Sequence, residues 1–293
     1  MAAIQMIDTF PAFLLFWSEV TGKDFEQQID RWSSEYLVNW LELKQKTTDD
    51  YANQDMDWFT VARERVFPYL NERLPAMKVA HAGLLESYSG LLSLAQERLG
   101  FDSDIIFVIY VGLGNGAGWV TDYAGKPAIL FGLENIAECH FETQPTLNGL
   151  IAHELGHVAH FHWRAEHGLS HGTGPWWQLY TEGFAQRCEH IILDQDLWHM
   201  KIRSSDDRWL SWCQENKAWL AAEYLLAVTS GKAINSFFGS WYDIRGRKET
   251  GYYLGHEVIR EMERNIPLTQ IALLDNHDYG MRSILEQFAV IEA

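Results

Sequence analysis

With 293 residues, 47% apolar and 22% charged, the chain is long enough to bury a large core and too apolar to be a disordered polypeptide. A formal net charge of −17 gives a surface that repels phosphate backbones and anionic headgroups, so neither nucleic acid nor a membrane is expected as a partner. Three cysteines, Cys139, Cys188 and Cys213, contain no CxxC pair; they make no disulfide framework and fit a reducing, cytoplasmic setting.

The early apolar run 13–17 is too short to span a bilayer and no basic segment precedes it. Residues 1–100 read mostly as helix. In 24–46 the apolar residues Ile29, Trp32, Leu37, Trp40 and Leu41 recur at helical intervals. The stretch 58–99 does the same, with Pro68 and Pro75 expected to break or kink it. At Gly100 the pattern changes. The β-branched run 105–111 reads as a buried strand, a glycine-rich turn follows at 112–118, and Trp119-Val120 and 128–131 are shorter strand candidates.

Pro145-Thr146 then opens a helix with Thr146 as its N-cap, and Leu147, Leu150, Ile151, Leu155, Val158 and Ala159 form its apolar stripe. Beyond a loop at 168–175 the remaining segments, 177 onward, 209–228, 251–264 and 281–290, again read as helices, with a polar connection at 239–250. The expected class is α+β: mainly helical, with a small antiparallel sheet beside the helix of residues 145–160. Three segments are expected: a helical region over 1–100, a core over 101–190 and a helical region over 191–293.

Within that helix stands His153-Glu154-Leu155-Gly156-His157. Four residues advance a helix by about 400°, so the two histidines lie roughly 40° apart on one face and their rings can converge on one ion. Neutral imidazole is a standard zinc donor, and Glu154, beside the first ligand, is placed to take a proton from water polarised by the ion. With 12 histidines in the chain, this combination should arise by accident only ~0.03 times, so the metal reading outweighs two structural histidines.

A catalytic zinc needs a third protein ligand and one open position. A metzincin would carry Gly at 160 and His at 163; here these are His160 and Trp163. The better candidate is Glu182 in Tyr180-Thr181-Glu182-Gly183-Phe184-Ala185, 25 residues beyond His157 (182 − 157), far enough for a loop and a returning helix. Its small Gly-x-Ala step permits close helix contact. Glu166 and Glu189 are rival ligands without that flanking pattern.

His-Glu-x-x-His followed by Glu-Gly-Phe-Ala resembles the gluzincin metallopeptidases, especially a branch of bacterial zinc proteases that also carries a Gly-Tyr-Tyr-Leu-Gly-like segment, here Gly251-Tyr252-Tyr253-Leu254-Gly255. The resemblance covers about 105–262. It implies a zincin-like core, one Zn2+ ion held by His153, His157 and Glu182, Glu154 as general base and a peptide or protein substrate. It further implies that an extended substrate lies along an edge strand, here Gly114, Asn115, Gly116, Ala117 and Gly118; the plainer reading is that these glycines only form a hairpin turn.

An oxyanion donor is expected from Tyr252 or Tyr253. Tyr252 is favoured as nearer the stripe Gly255–Val258–Met262, and His256 is a further candidate. Arg245 and Arg247 could clamp a substrate carboxylate; a solvated loop is the plainer reading. His160, His162, His167 and His171 are expected at the surface and are assigned no ion. The readings that compete with a peptidase are a non-catalytic metal-containing protein and a zinc hydrolase of a non-peptide amide or ester. Oligomeric state is not legible.

Overall fold

The run 105–111 becomes a strand buried along its whole length, and a sheet is built on both of its edges. The computed structural model of the chain describes residues 4–200 and 208–290. Four strands, β1 (Ile4–Asp8), β2 (Ile105–Tyr110), β3 (Gly118–Tyr123) and β4 (Lys126–Gly132), lie in the order β1-β2-β4-β3. β1 and β4 both run parallel to β2, with Ile4 opposite Ile105 and Ile106 opposite Ala128. Only β3 is antiparallel, pairing Gly118 with Phe131.

The sheet is therefore mixed rather than the expected antiparallel one, and it contains a strand within the region read as helical. The physical reason lies in β2. All six of its residues are buried, as in an interior strand flanked by parallel neighbours with both faces covered. A parallel pair needs a long crossover, and the helices between Asp8 and Ile105 supply it. β3 and β4 are joined by Ala124-Gly125, both at positive φ (50° and 73°), the geometry of a two-residue hairpin turn.

The helices are α1 (Phe10–Val20), α2 (Phe25–Arg31), α3 (Leu41–Asn53), α4 (Trp58–Val61), α5 (Leu70–Leu99), α6 (Leu133–Cys139), α7 (Gln144–Glu166), α8 (Gly174–Leu193), α9 (Trp209–Glu215), α10 (Lys217–Thr229), α11 (Thr250–Glu263), α12 (Leu268–Ile271) and α13 (His277–Val290). Mainly helical α+β is thus the class found. Pro68 sits in a 3-10 turn just before α5, whereas Pro75 lies inside α5, which runs on through it. α7 begins two residues before Thr146, whose hydroxyl donates back to the Phe141 and Thr143 carbonyls from within the first turn, with Pro145 at a position that lacks no bond. Among the described residues no helix is long and apolar enough to cross a membrane. Cys139, Cys188 and Cys213 are buried free thiols.

The chain divides into two compact units, one of Met1–Leu91 and Asp102–Ile151, the other of Leu92–Phe101 and Ala152–Ala293. The first contains the sheet. The second is built around α8, and three glycines set how closely its neighbours approach. A Cβ on Gly183 would collide with the Gly255 backbone of α11, and one on Gly255 would stand 2.5 Å from the Leu179 carbonyl oxygen. On the other side of α8, a Cβ on Gly156 of α7 would meet Cys188 Cβ at 2.7 Å and Ala185 Cα at 3.0 Å. Each of the three sequence motifs thus contributes a glycine to a close contact between α8 and a neighbouring helix.

Gly183→Ala is accordingly expected to cost about 3 kcal/mol or more, at the upper end for overpacking, because backbone rather than a flexible side chain must yield. Thermal unfolding would read this as a large drop in Tm; an unchanged Tm would mean that the two helices are not in backbone contact.

Candidate metal centre

His153 and His157, one turn apart on α7, hold their ring centroids 5.0 Å apart and nearly perpendicular. Facing them is the side of α8 that carries Ala185. Glu182 lies one turn before it and Glu189 one turn after, seven residues apart and so on one helix face. Contact between Gly156 and Ala185 draws the two helices together and brings the Glu182 carboxylate to the rings. Its Oε2 is 3.2 Å from His153 Nε2 and 3.3 Å from His157 Nε2. The three sequence-predicted ligands therefore meet at one point.

The donor atoms fit a small divalent cation. Donors about 2.0–2.1 Å from one tetrahedral ion stand about 3.3–3.4 Å from each other, close to the separations found. Both histidines direct Nε2 to the carboxylate, and the Nδ1 atoms, buried and without a hydrogen-bond partner, face away from it. Two imidazoles and a carboxylate are a nitrogen–oxygen set suited to zinc. The imidazoles are almost fully buried, while Glu182 keeps 21% of its side chain exposed, so the approach from solvent is on the carboxylate side.

Charge is distributed accordingly. Burial pushes Glu182 up, but the facing His157 and the hydrogen bonds from His153 and His157 outweigh it and hold the carboxyl well below its ordinary range. His157 is lowered by burial, yet Glu182 outweighs that and raises it above its usual value. Burial pushes His153 down to about 4 against the pull of Glu182. Glu154, buried beside them, is pushed up to about 7 by desolvation, with His157 opposing.

Tyr252 and Tyr253 part company. Tyr252 is half-buried, with its ring 5.6 Å from that of His153 and 5.5 Å from Phe238. Tyr253 is the more deeply buried of the two, against Trp198. The inward-stripe reason for preferring Tyr252 does not hold, because α11 is covered on more than one side; what distinguishes Tyr252 is its contact with His153. His256 is buried, its ring 4.5 Å from His190 and 4.8 Å from Trp198. Arg245 and Arg247 flank a tight turn closed by an Ile244–Arg247 bridge, and their guanidinium groups stand over the rings of Trp219 and Trp212.

The glycine segment belongs to the first unit. The Gly112 and Gly114 N–H groups donate to the buried Glu134 carboxylate, and Asn115 Nδ2 donates to the Thr47 carbonyl and to Asp50. Gly118 begins β3, which is an edge strand. The segment is thus both a tethered loop and the start of an edge.

Of the four later histidines, His167 and His171 are exposed and His162 is half-buried, its Nε2 3.5 Å from Glu166. His160 is not at the surface: it is fully buried, with its ring stacked on Phe184 at 4.4 Å and edge-on to Tyr180 at 5.0 Å. It stands one turn past His157, toward α8, and its ring fills an aromatic pocket there. One residue of the cluster went unread in the sequence. His199 donates its backbone N–H to Glu189 Oε1 at 3.2 Å, its Nδ1 lies 2.7 Å from Glu189 Oε2, and its ring packs 5.3 Å from that of His153. No spacing rule points to it, whereas the seven-residue interval from Glu182 could have placed Glu189.

Compared with known proteins, the chain matches no protein-family model, no curated protein and no solved structure at a significant level.

Proposed function

We propose that this chain is a zinc-dependent hydrolase of peptide bonds, a gluzincin-like metallopeptidase that holds one zinc ion. The observation that supports this best is the meeting of His153 Nε2, His157 Nε2 and a Glu182 oxygen at separations of 3.2 and 3.3 Å, with Glu154 buried beside them. Bound there, zinc would supply Lewis acidity toward a carbonyl and a water whose pKa falls to about 7.

The residues of the chain do the rest. His153, His157 and Glu182 would hold the ion, one donor atom from each. Glu154 takes the proton of the attacking water and passes it to the departing amine. Tyr252, beside His153, offers a neutral phenol donor to the carbonyl oxygen as it gains negative charge. The proposed setting is the cytoplasm, where Cys139, Cys188 and Cys213 remain reduced.

The test is a peptide-library digest with the zinc-loaded protein, run beside a panel of non-peptide amides and esters. Peptide cleavage that a chelator stops and added zinc restores is the expected result. Turnover confined to the second panel would move the substrate class. Bound zinc with no turnover of any substrate would replace the enzyme reading with a non-catalytic metal protein.

A further inference from the structure

The proposed metal site has a second carboxylate behind it. His153 meets Glu182 at Nε2, and its other ring nitrogen, Nδ1, lies 3.8 Å from Glu189 Oε2. Glu189 is fully buried, so its carboxylate is oriented by protein groups rather than by water. His199 provides that orientation twice, through its backbone N–H to Oε1 and through Nδ1 to Oε2. His153 Nδ1 is itself buried without a hydrogen-bond partner. A buried ring nitrogen lacking a partner, with a carboxylate oxygen a few tenths of an ångström beyond hydrogen-bonding range, is a contact poised to close.

We infer that Glu189, clamped by His199, is a positioning residue for His153: it accepts the Nδ1–H and so fixes the ring in the tautomer and orientation that present the Nε2 lone pair to the ion. The inference rests on the reading of His153 as a ligand. Its physical basis is that an imidazole donating its second N–H to a carboxylate is both oriented and made a better donor, and such partners typically contribute 10–100-fold in metal affinity. The placement follows from the sequence. Glu182 and Glu189 are two turns apart on α8, so one helix face brings one carboxylate to each nitrogen of the same ring. A carboxylate oxygen has lone pairs enough to accept from both His199 Nδ1 and His153 Nδ1.

The same three residues also form a cluster that could hold an ion of its own. The geometry favours the hydrogen-bonded arrangement. The 2.7 Å between His199 Nδ1 and Glu189 Oε2 is a hydrogen-bond length and shorter than the roughly 3.3 Å between two ligands of one tetrahedral ion.

The experiment is zinc titration of the full-length apoprotein in a chelator-buffered series, for the wild type, Glu189→Gln and His199→Phe, with thermal unfolding of each apoprotein. Glutamine keeps the volume and an acceptor oxygen and lowers the risk of misfolding; phenylalanine keeps a ring in place of His199. The expected result is one zinc per chain in all three proteins, about 10–100-fold weaker in Glu189→Gln and weakened to a lesser degree in His199→Phe. In the zinc-loaded wild type, a slowly exchanging His153 Nδ1 proton should appear by NMR and exchange faster in Glu189→Gln, whose neutral amide oxygen is the weaker acceptor. A purely structural role would lower the Tm of the apoproteins and leave zinc affinity and that proton unchanged, which overturns the inference but not the metal reading. A second zinc equivalent lost with Glu189→Gln would overturn it in favour of a separate ion site. A wild type that binds no zinc removes both readings together.

Discussion

Glu154→Gln is expected to lower peptide hydrolysis by about 10³-fold while one zinc per chain stays bound, because the substitution removes the proposed proton acceptor and leaves the three proposed metal donors in place. The variant also reports on burial. In the metal-free protein the folded-state value of about 7 stands above the ordinary carboxylate value of 4.5. The sign follows directly: below pH 4.5 the carboxyl is protonated whether folded or unfolded, and no penalty arises. As pH rises toward 7 the unfolded chain ionises freely and the folded one resists, so the contribution to stability is progressively lost. Glutamine does not ionise, and Glu154→Gln should therefore gain stability over the wild-type apoprotein between pH 5 and pH 8, on the order of 2–3 kcal/mol. Denaturant unfolding at the two pH values checks it; a difference that does not change with pH would mean that the carboxylate is solvated.

Glu182→Ala is expected to weaken zinc binding by at least about 10³-fold, since loss of a group merely supporting a ligand already costs about 10–100-fold and this change removes a proposed ligand outright. The effect should extend to the metal-free state. The charge on Glu182 does most to hold His157 above its ordinary value against burial, so in the variant His157 should titrate lower than in the wild type. Zinc titration and the histidine NMR titration read the two consequences separately. Undiminished affinity with a normally folded variant would transfer the third-ligand role to another carboxylate.

The parts of the centre legible in the sequence were those governed by helix periodicity. The four-residue step from His153 to His157 dictates one face, and the interval to Glu182 suffices for a loop and a returning helix. The structure adds why the flanking glycines stand where they do: Gly156, Gly183 and Gly255 are contact points between helices, visible only once the helices are paired. β1 was illegible for a different reason. Its five residues, Ile-Gln-Met-Ile-Asp, gain a strand identity only from pairing with β2, about a hundred residues downstream, and no local pattern encodes a parallel partner at that distance. The same limit concealed His199, which reaches the cluster through a loop rather than along a helix, and His160, whose aromatic pocket is assembled in part from α8. Glu189 lay between these cases, since its seven-residue interval from Glu182 was present in the sequence but carried no meaning until α8 was known to face His153.

The most direct measurement of the central claim is diffraction from crystals of the zinc-loaded protein, recorded on both sides of the zinc absorption edge. The account predicts a single anomalous peak within about 2.0–2.2 Å of His153 Nε2, His157 Nε2 and a Glu182 carboxylate oxygen, with Glu154 near it but not bound to it. A peak at other residues, or a protein that folds with the same helices and takes up no zinc there, would contradict it.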